Sequence, residues 1–122
     1  MTELTERTEA LLTAMGWTRR LNGMWAVDVP KCQGDTVTAA RPSIDWCFRH
    51  AVPWATAQGW DVSVLSGATT DFQFRDVTVI RTSPFDRIGS AFVQWRPGEP
   101  DRTAEAIVTA LHDALMGERH EA

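Results

Sequence analysis

The apolar residues of this chain change their spacing near residue 60, and that change limits the folds open to it. Side chains three and four apart share one face of a helix, whereas alternate side chains share one face of a strand. Before the change, Leu4, Leu11, Leu12 and Met15 fall on one helical stripe over residues 2–15, with Thr2 or Thr5 placed to cap its start and Gly16 its end. Ser43 caps a second helix that runs from Ile44 to Gln58 and closes at Gly59. Pro53 is predicted to kink it, because the ring removes one backbone donor. After Trp60, Val62 and Val64, Phe72 and Phe74, Val77 and Val79, then Ala91, Val93 and Trp95 alternate with mostly polar neighbours. These runs predict three or four antiparallel strands, separated by turns at Ser66-Gly67, at Asp76 and across a long connection over 82–89. A last helix follows Asp101, with Ala104, Ile107, Val108, Leu111 and Leu115 as the stripe laid on the sheet. The 122 residues read as a single α+β domain, long enough to bury a core without disulfides or a structural metal.

Asn22-Gly23 lies between two short alternating runs and predicts an N-terminal hairpin. The type I′ turn that this dipeptide favours needs positive φ at both central residues. Residues 28–42 hold two Pro, one Gly and several small polar residues, and read as a loop. One face of the predicted sheet takes the alternating Val, Phe and Trp set. The other offers only Leu65, Ile80 and Phe92 among polar side chains such as Gln73, Arg75, Thr78 and Gln94. Helices must cover the first face; the second needs only partial cover, from the N-terminal helix, the hairpin or a second copy.

No apolar run approaches the ~18 residues of a membrane-spanning helix. The acidic start Met1-Thr2-Glu3-Leu4-Thr5-Glu6 is unlike the basic opening of a signal peptide. Cys32 and Cys47 are too few for a disulfide framework, so the expected location is a reducing cytoplasm. The net charge of −4 is uneven: residues 17–50 carry five basic side chains against three acidic ones, while both ends are acidic. That local excess falls far short of a basic face and argues against nucleic acid as the main partner. The chain has six Trp and no Tyr. Trp supplies large apolar area and is enriched at interface hot spots.

Helix 2 carries the most informative candidates. At ~100° per residue, Ile44, Cys47, Phe48, Ala51 and Ala55 form one apolar stripe, and Trp46, His50 and Trp54 form another. One neighbour needs only one stripe. The second is either covered by the N-terminal helix or hairpin, or is an aromatic ridge for a partner. Trp25 in the hairpin is a further binding candidate. Arg19-Arg20 could grip an acidic partner, although an exposed solubilising pair is the simpler reading. Cys47 and His50 are spaced for two metal ligands, and Cys32 with His112 could complete a tetrahedral set. The chain has neither Cys-x-x-Cys nor His-x-x-x-His, however, and Cys47 lies on the core stripe as a small hydrophobe. Asp71, Asp76 and Asp86, placed at strand ends, could hold Mg²⁺ for hydrolysis, but Asp there ordinarily serves the turn. No nucleophile, phosphate-loop or zinc-protease motif is present, so no catalytic residue, metal or cofactor is assigned.

Arg41-Pro42-Ser43-Ile44-Asp45-Trp46 opens a Trp-bearing helix, Gly59-Trp60 closes it, and Phe72-Gln73-Phe74 follows as an aromatic strand. A final helix from Thr103-Ala104-Glu105-Ala106-Ile107 through Ala110-Leu111 completes the order. This order resembles the phage ABA sandwich domain family, small phage proteins that also begin with a helix ending in Gly-Trp, as Gly16-Trp17 does here. The resemblance spans residues 1–17 and 41–116, leaving the hairpin and the 82–90 connection as additions. It implies a three-layer α/β/α sandwich: an antiparallel sheet of three to four strands between about three helices. It implies phage or prophage origin, the cytoplasm of the bacterial host, and no catalytic residues. The expected function is a phage accessory protein that binds a host or phage protein, in its sharpest form an anti-CRISPR-like inhibitor of a host defence complex or enzyme. The alternatives are a structural or homodimeric phage protein and a small metal-dependent hydrolase.

Overall fold

The structure, a computed structural model, describes residues 3–27 and 35–121, with side chains as far as Gly117. Helix α1 spans Glu3–Ala14 and ends in a Schellman motif. Gly16, at φ +85°, donates its N–H to Thr13 O, and the Trp17 N–H reaches back to Leu12 O at 2.9 Å. That turn delivers Trp17, buried, into the hairpin of β1 (Thr18–Arg19) and β2 (Trp25–Ala26). The hairpin forms, but not through the expected type I′ turn. Among the described residues only glycines have positive φ, so Leu21 and Asn22 make the turn and Gly23, at φ +84°, follows it. Gly23 N–H donates to Arg20 O at 3.0 Å, while Asn22 Oδ1 accepts from the Met24 N–H at 3.0 Å. The predicted loop is partly strand too: β3 (Thr36–Val37) adds to β2, setting Val37 opposite Trp25. Residues 28–34 of that loop lie outside the described residues.

The second helix is continuous but not uniform. It opens as α2 (Ile44–Trp46), where Ser43 Oγ accepts from the Trp46 N–H at 3.0 Å. A π-helical segment over Cys47–Ala51 follows, then α3 (Val52–Ala57). Pro53 lies in the first turn of α3, immediately after the π segment. The ring has no N–H to give a carbonyl of the preceding turn, and the chain meets this by widening that turn.

The main sheet joins β4 (Trp60–Ala68), β5 (Gln73–Thr82) and β6 (Phe85–Trp95) in that order, antiparallel throughout. The three expected interruptions are absent, moved or shortened. Ser66 and Gly67 make no turn: they lie inside β4, paired with Arg75 and Phe74, and the turn comes after Ala68. Asp76 makes no turn: it sits in mid-strand, opposite Leu65 on one side and Phe92 on the other. The connection predicted over 82–89 shrinks to Ser83-Pro84, since Phe85 already pairs with Thr82. Laddered pairing satisfies backbone groups that a loop would leave to solvent. One irregularity remains in β6. Arg87 pairs with Ile80 and Gly89 with Val79, so Ile88 is an extra residue, a β-bulge.

A continuous β5 redistributes the faces. Trp60, Val77, Val79, Gly89, Val93 and Trp95 are buried on the inner face. Leu65, Phe74, Asp76, Thr78, Ile80, Arg87 and Phe92 share the other. Phe74 has therefore changed sides relative to the sequence reading, and so have Gln73 and Arg75. Arg75 is accommodated on the inner face by stacking 4.9 Å over the Trp95 ring.

Helix α4 (Thr103–Glu121) crosses that inner face and packs directly on Gly89, where Ala110 and Ala114 leave no room for a Cβ. Helix α1 packs on α4, and the second helix packs on β4 and α4. The protein thus has the expected mixture of helices and antiparallel sheet. Its described helices all stand on one side of the main sheet. A helix on the far face, as the sandwich arrangement requires, is not found among the described residues. Of the alternative covers for that face, α1 buries Leu11 and Leu12 on the α4 side instead.

The start of α4 is fixed by charge. Asp101 accepts hydrogen bonds from the Thr103 N–H, at 2.7 Å, and from its hydroxyl. Burial acts to raise the Asp101 carboxyl, but these bonds and the Arg75 charge outweigh it and hold it below its usual value. Arg102 grips Glu105 through two 2.8 Å hydrogen bonds, which lower the Glu105 carboxyl against the opposing effect of burial. Both folded values lie below the unfolded ones. Their contribution is therefore present above the ordinary carboxylate range and is lost as pH falls through the folded values. The urea midpoint is expected to drop on acidification, and Asp101→Asn with Glu105→Gln to flatten that dependence. An unchanged slope in the double variant would place the acid sensitivity in other groups.

Candidate functional site

Helix 2 does not present an aromatic ridge. Trp46 is only 3% exposed and meets Trp17 edge-on at 6.0 Å. The His50 ring packs on the same Trp17 at 5.1 Å, and its Nε2 lies 2.8 Å from Asp35 Oδ2. Arg49 reaches that carboxylate as well, at 3.3 Å, so the chain just before β3 is clipped to the helix. Trp54 is half-buried and edge-on to Trp60 at 5.4 Å. Trp17, at the foot of the hairpin, covers Trp46 and His50, and Trp60 of β4 meets Trp54. The π segment explains the pattern: a wider turn keeps residues four apart closer to one line than ~100° per residue would. Trp25 is buried too, and so are Trp17, Trp60 and Trp95. The tryptophans build the core. Of the six binding candidates, Arg19 and Arg20 are the exposed ones, next to Leu21 at the hairpin tip.

The metal and hydrolase candidates do not converge. Cys47 is fully buried with Sγ 3.9 Å from Ala104 O, and burial pushes its thiol up to about 12. A thiol held protonated makes a poor ligand or nucleophile. Cys32 lies outside the described residues. Asp71 sits in the β4–β5 turn and Asp76 on the outer face of β5. Asp86 is opposite Arg81, with 3.7 Å between carboxylate and guanidinium. Among the described residues no three His, Cys, Asp or Glu side chains cluster as a metal set.

The sequence reading gave the second face of the main sheet Leu65, Ile80 and Phe92, but it missed Phe74 there and named none of these as site residues. Leu65 and Phe92 are each 60% exposed and flank Asp76 in one cross-strand row. Phe74 stacks on Phe92 at 5.9 Å and lies over Gly67, where a side chain would collide with its ring. At the other end Phe85, 79% exposed, adjoins a groove of about 620 Å³ together with Ile80, Arg87, Thr78, Asp76 and Phe92. Counting alternate residues straight through Asp76 would have placed Phe74, Ile80 and Asp76 together. The face offers apolar contact with charges spaced along it.

No family model matches the chain, and no curated protein or solved structure does. The resemblance to phage sandwich domains rests on the residues quoted for it. No described helix is long and apolar enough to cross a membrane.

Proposed function

We propose that the chain works by binding protein, with the uncovered face of the main sheet as its recognition surface. One observation carries this reading: Leu65, Phe74, Phe92, Ile80 and Phe85 share a face on which no described element packs. A solvated face of an antiparallel sheet normally alternates to polar residues, and apolar patches rimmed by polar groups mark interaction sites. Here Asp61, Asp76, Arg87 and Gln94 supply the polar positions among the apolar ones. Phage origin, a bacterial cytoplasm and a host-defence target are the further parts of the proposal that come from the family resemblance. The exposed hairpin tip, Arg19, Arg20 and Leu21, is a second surface that such a target could use.

Leu65→Asp combined with Phe92→Asp tests the face. Substitutions at exposed positions usually change stability by within about 0.5 kcal/mol, so the melting temperature should stay close to that of the wild type. Capture of the bound protein from a bacterial host lysate should be lost. Full capture by a folded double variant would remove the face from consideration.

A further inference from the structure

We infer that the occupant of the uncovered face is a second copy of this chain, packed face to face about a two-fold axis that runs along β5. This rests on the reading of that face as a protein-binding surface, for which any host protein would compete with the second copy. The strand register places Leu65, Asp76 and Phe92 in one row, and Asp61, Ile80 and Arg87 in another. A two-fold axis along the middle strand lays β4 of one copy over β6 of the other. Leu65 then meets Phe92 of the second copy, and Asp61 meets Arg87 of the second copy. Each contact occurs twice. One operation thus satisfies both an apolar match and a charge match, the self-complementarity that a closed isologous interface demands. A two-fold axis across the strands does worse: it sets Leu65 over Asp61 and Phe92 over Arg87, leaving both charges on apolar side chains.

On the axis strand each residue meets its own counterpart. Phe74 and Ile80 are suited to that. Asp76 is not, and it is the one like-charge contact in the arrangement. The face is also small. Strands ~4.8 Å apart and nine residues long, at ~3.4 Å per residue, give about 440 Å² per copy. Standard interfaces bury ~800 Å² per partner, so the dimer is weak and concentration-dependent.

Sedimentation velocity of the full chain over a concentration series tests this at low salt. The wild type should show a monomer–dimer equilibrium, and Phe92→Asp should be monomeric with an unchanged thermal melt. Asp61→Arg alone and Arg87→Asp alone should each weaken association by roughly tenfold or more, since each turns two attractive charge contacts into repulsive ones. The double reversal should restore it, because both pairs re-form in the opposite sense. Asp76→Asn should tighten it. A monomer at every concentration overturns the second-copy inference, and the lysate experiment on Leu65 and Phe92 then judges the face separately. A dimer indifferent to Phe92→Asp overturns the face as well as the occupant. A dimer broken by both single reversals but not restored by the double overturns the two-fold geometry. Should Phe92→Asp fail to fold, the exposed Asp61 and Arg87 still decide the outcome.

Discussion

Trp46→Ala is expected to remove about 3–5 kcal/mol of unfolding free energy, the range for emptying a buried aromatic site. Against a total stability of ~5–15 kcal/mol, that is enough to leave a large unfolded fraction at ordinary temperature. The side chain is 3% exposed and forms the floor on which Trp17 stands, so the cavity would open where hairpin and helix meet. Trp46→Phe should cost much less. The indole Nε1 is buried and has no hydrogen-bond partner among the described residues. An orphaned donor costs roughly 1–3 kcal/mol, and phenylalanine removes it while keeping a ring. Urea midpoints of the two variants check the ordering. An alanine variant within about 1 kcal/mol of wild type would put Trp46 at the surface and revive the ridge on helix 2.

The second large effect belongs to a glycine. Alanine in a strand interior is normally preferred to glycine, which has no side chain to pack and loses more freedom on folding. Gly89→Ala should nevertheless destabilise by about 3 kcal/mol, at the upper end of overpacking costs. A Cβ there would run into Ala110 O and stand 2.8 Å from Ala114 N, both of them helix backbone held by hydrogen bonds. Gly67 supplies the control. Its Cβ would meet only the Phe74 ring, a single side chain on an uncovered face that can swing aside. Gly67→Ala should therefore shift the urea midpoint far less than Gly89→Ala. The reverse order would show that α4 is not seated on β6 at Gly89.

The helices were legible because their ends are written in residues of special conformation or hydrogen-bonding capacity. Gly16 and Gly59 stop two of them at positive φ, and Ser43 and Asp101 start two. The hairpin was legible for the same reason, although Asn22 contributes its side chain and not its backbone angle. The sheet was harder. In β5, Phe74 and Ile80 lie in one alternation and Val77 and Val79 in the other, and the change of phase around Asp76 imitates a turn. A strand with apolar residues on both faces looks like two strands when each face is read as the inside. Helix 2 left two readings open, a covered stripe or an exposed ridge, and the structure has the covered one. Choosing between them needed the neighbour that Trp17 supplies and the wider π turn, neither of which the helix spacing shows. The functional candidates followed the tryptophans into the core, while the uncovered face is built from Leu, Ile and Phe at ordinary strand spacing.

Ile88 has a consequence for how this surface can change. The bulge turns Ile88 towards the core and Arg87 outwards onto the uncovered face. Without it the ladder would run on in step from Gly89, and the same two residues would trade places: an isoleucine to solvent, a guanidinium against α4. Composition is identical in the two cases. The electrostatic character of this end of the sheet is therefore governed by where the extra residue is taken up and not by composition. Moving it from β6 into the Ser83-Pro84 turn would invert the face, whereas deleting Ile88 would keep Arg87 opposite Ile80 and outward.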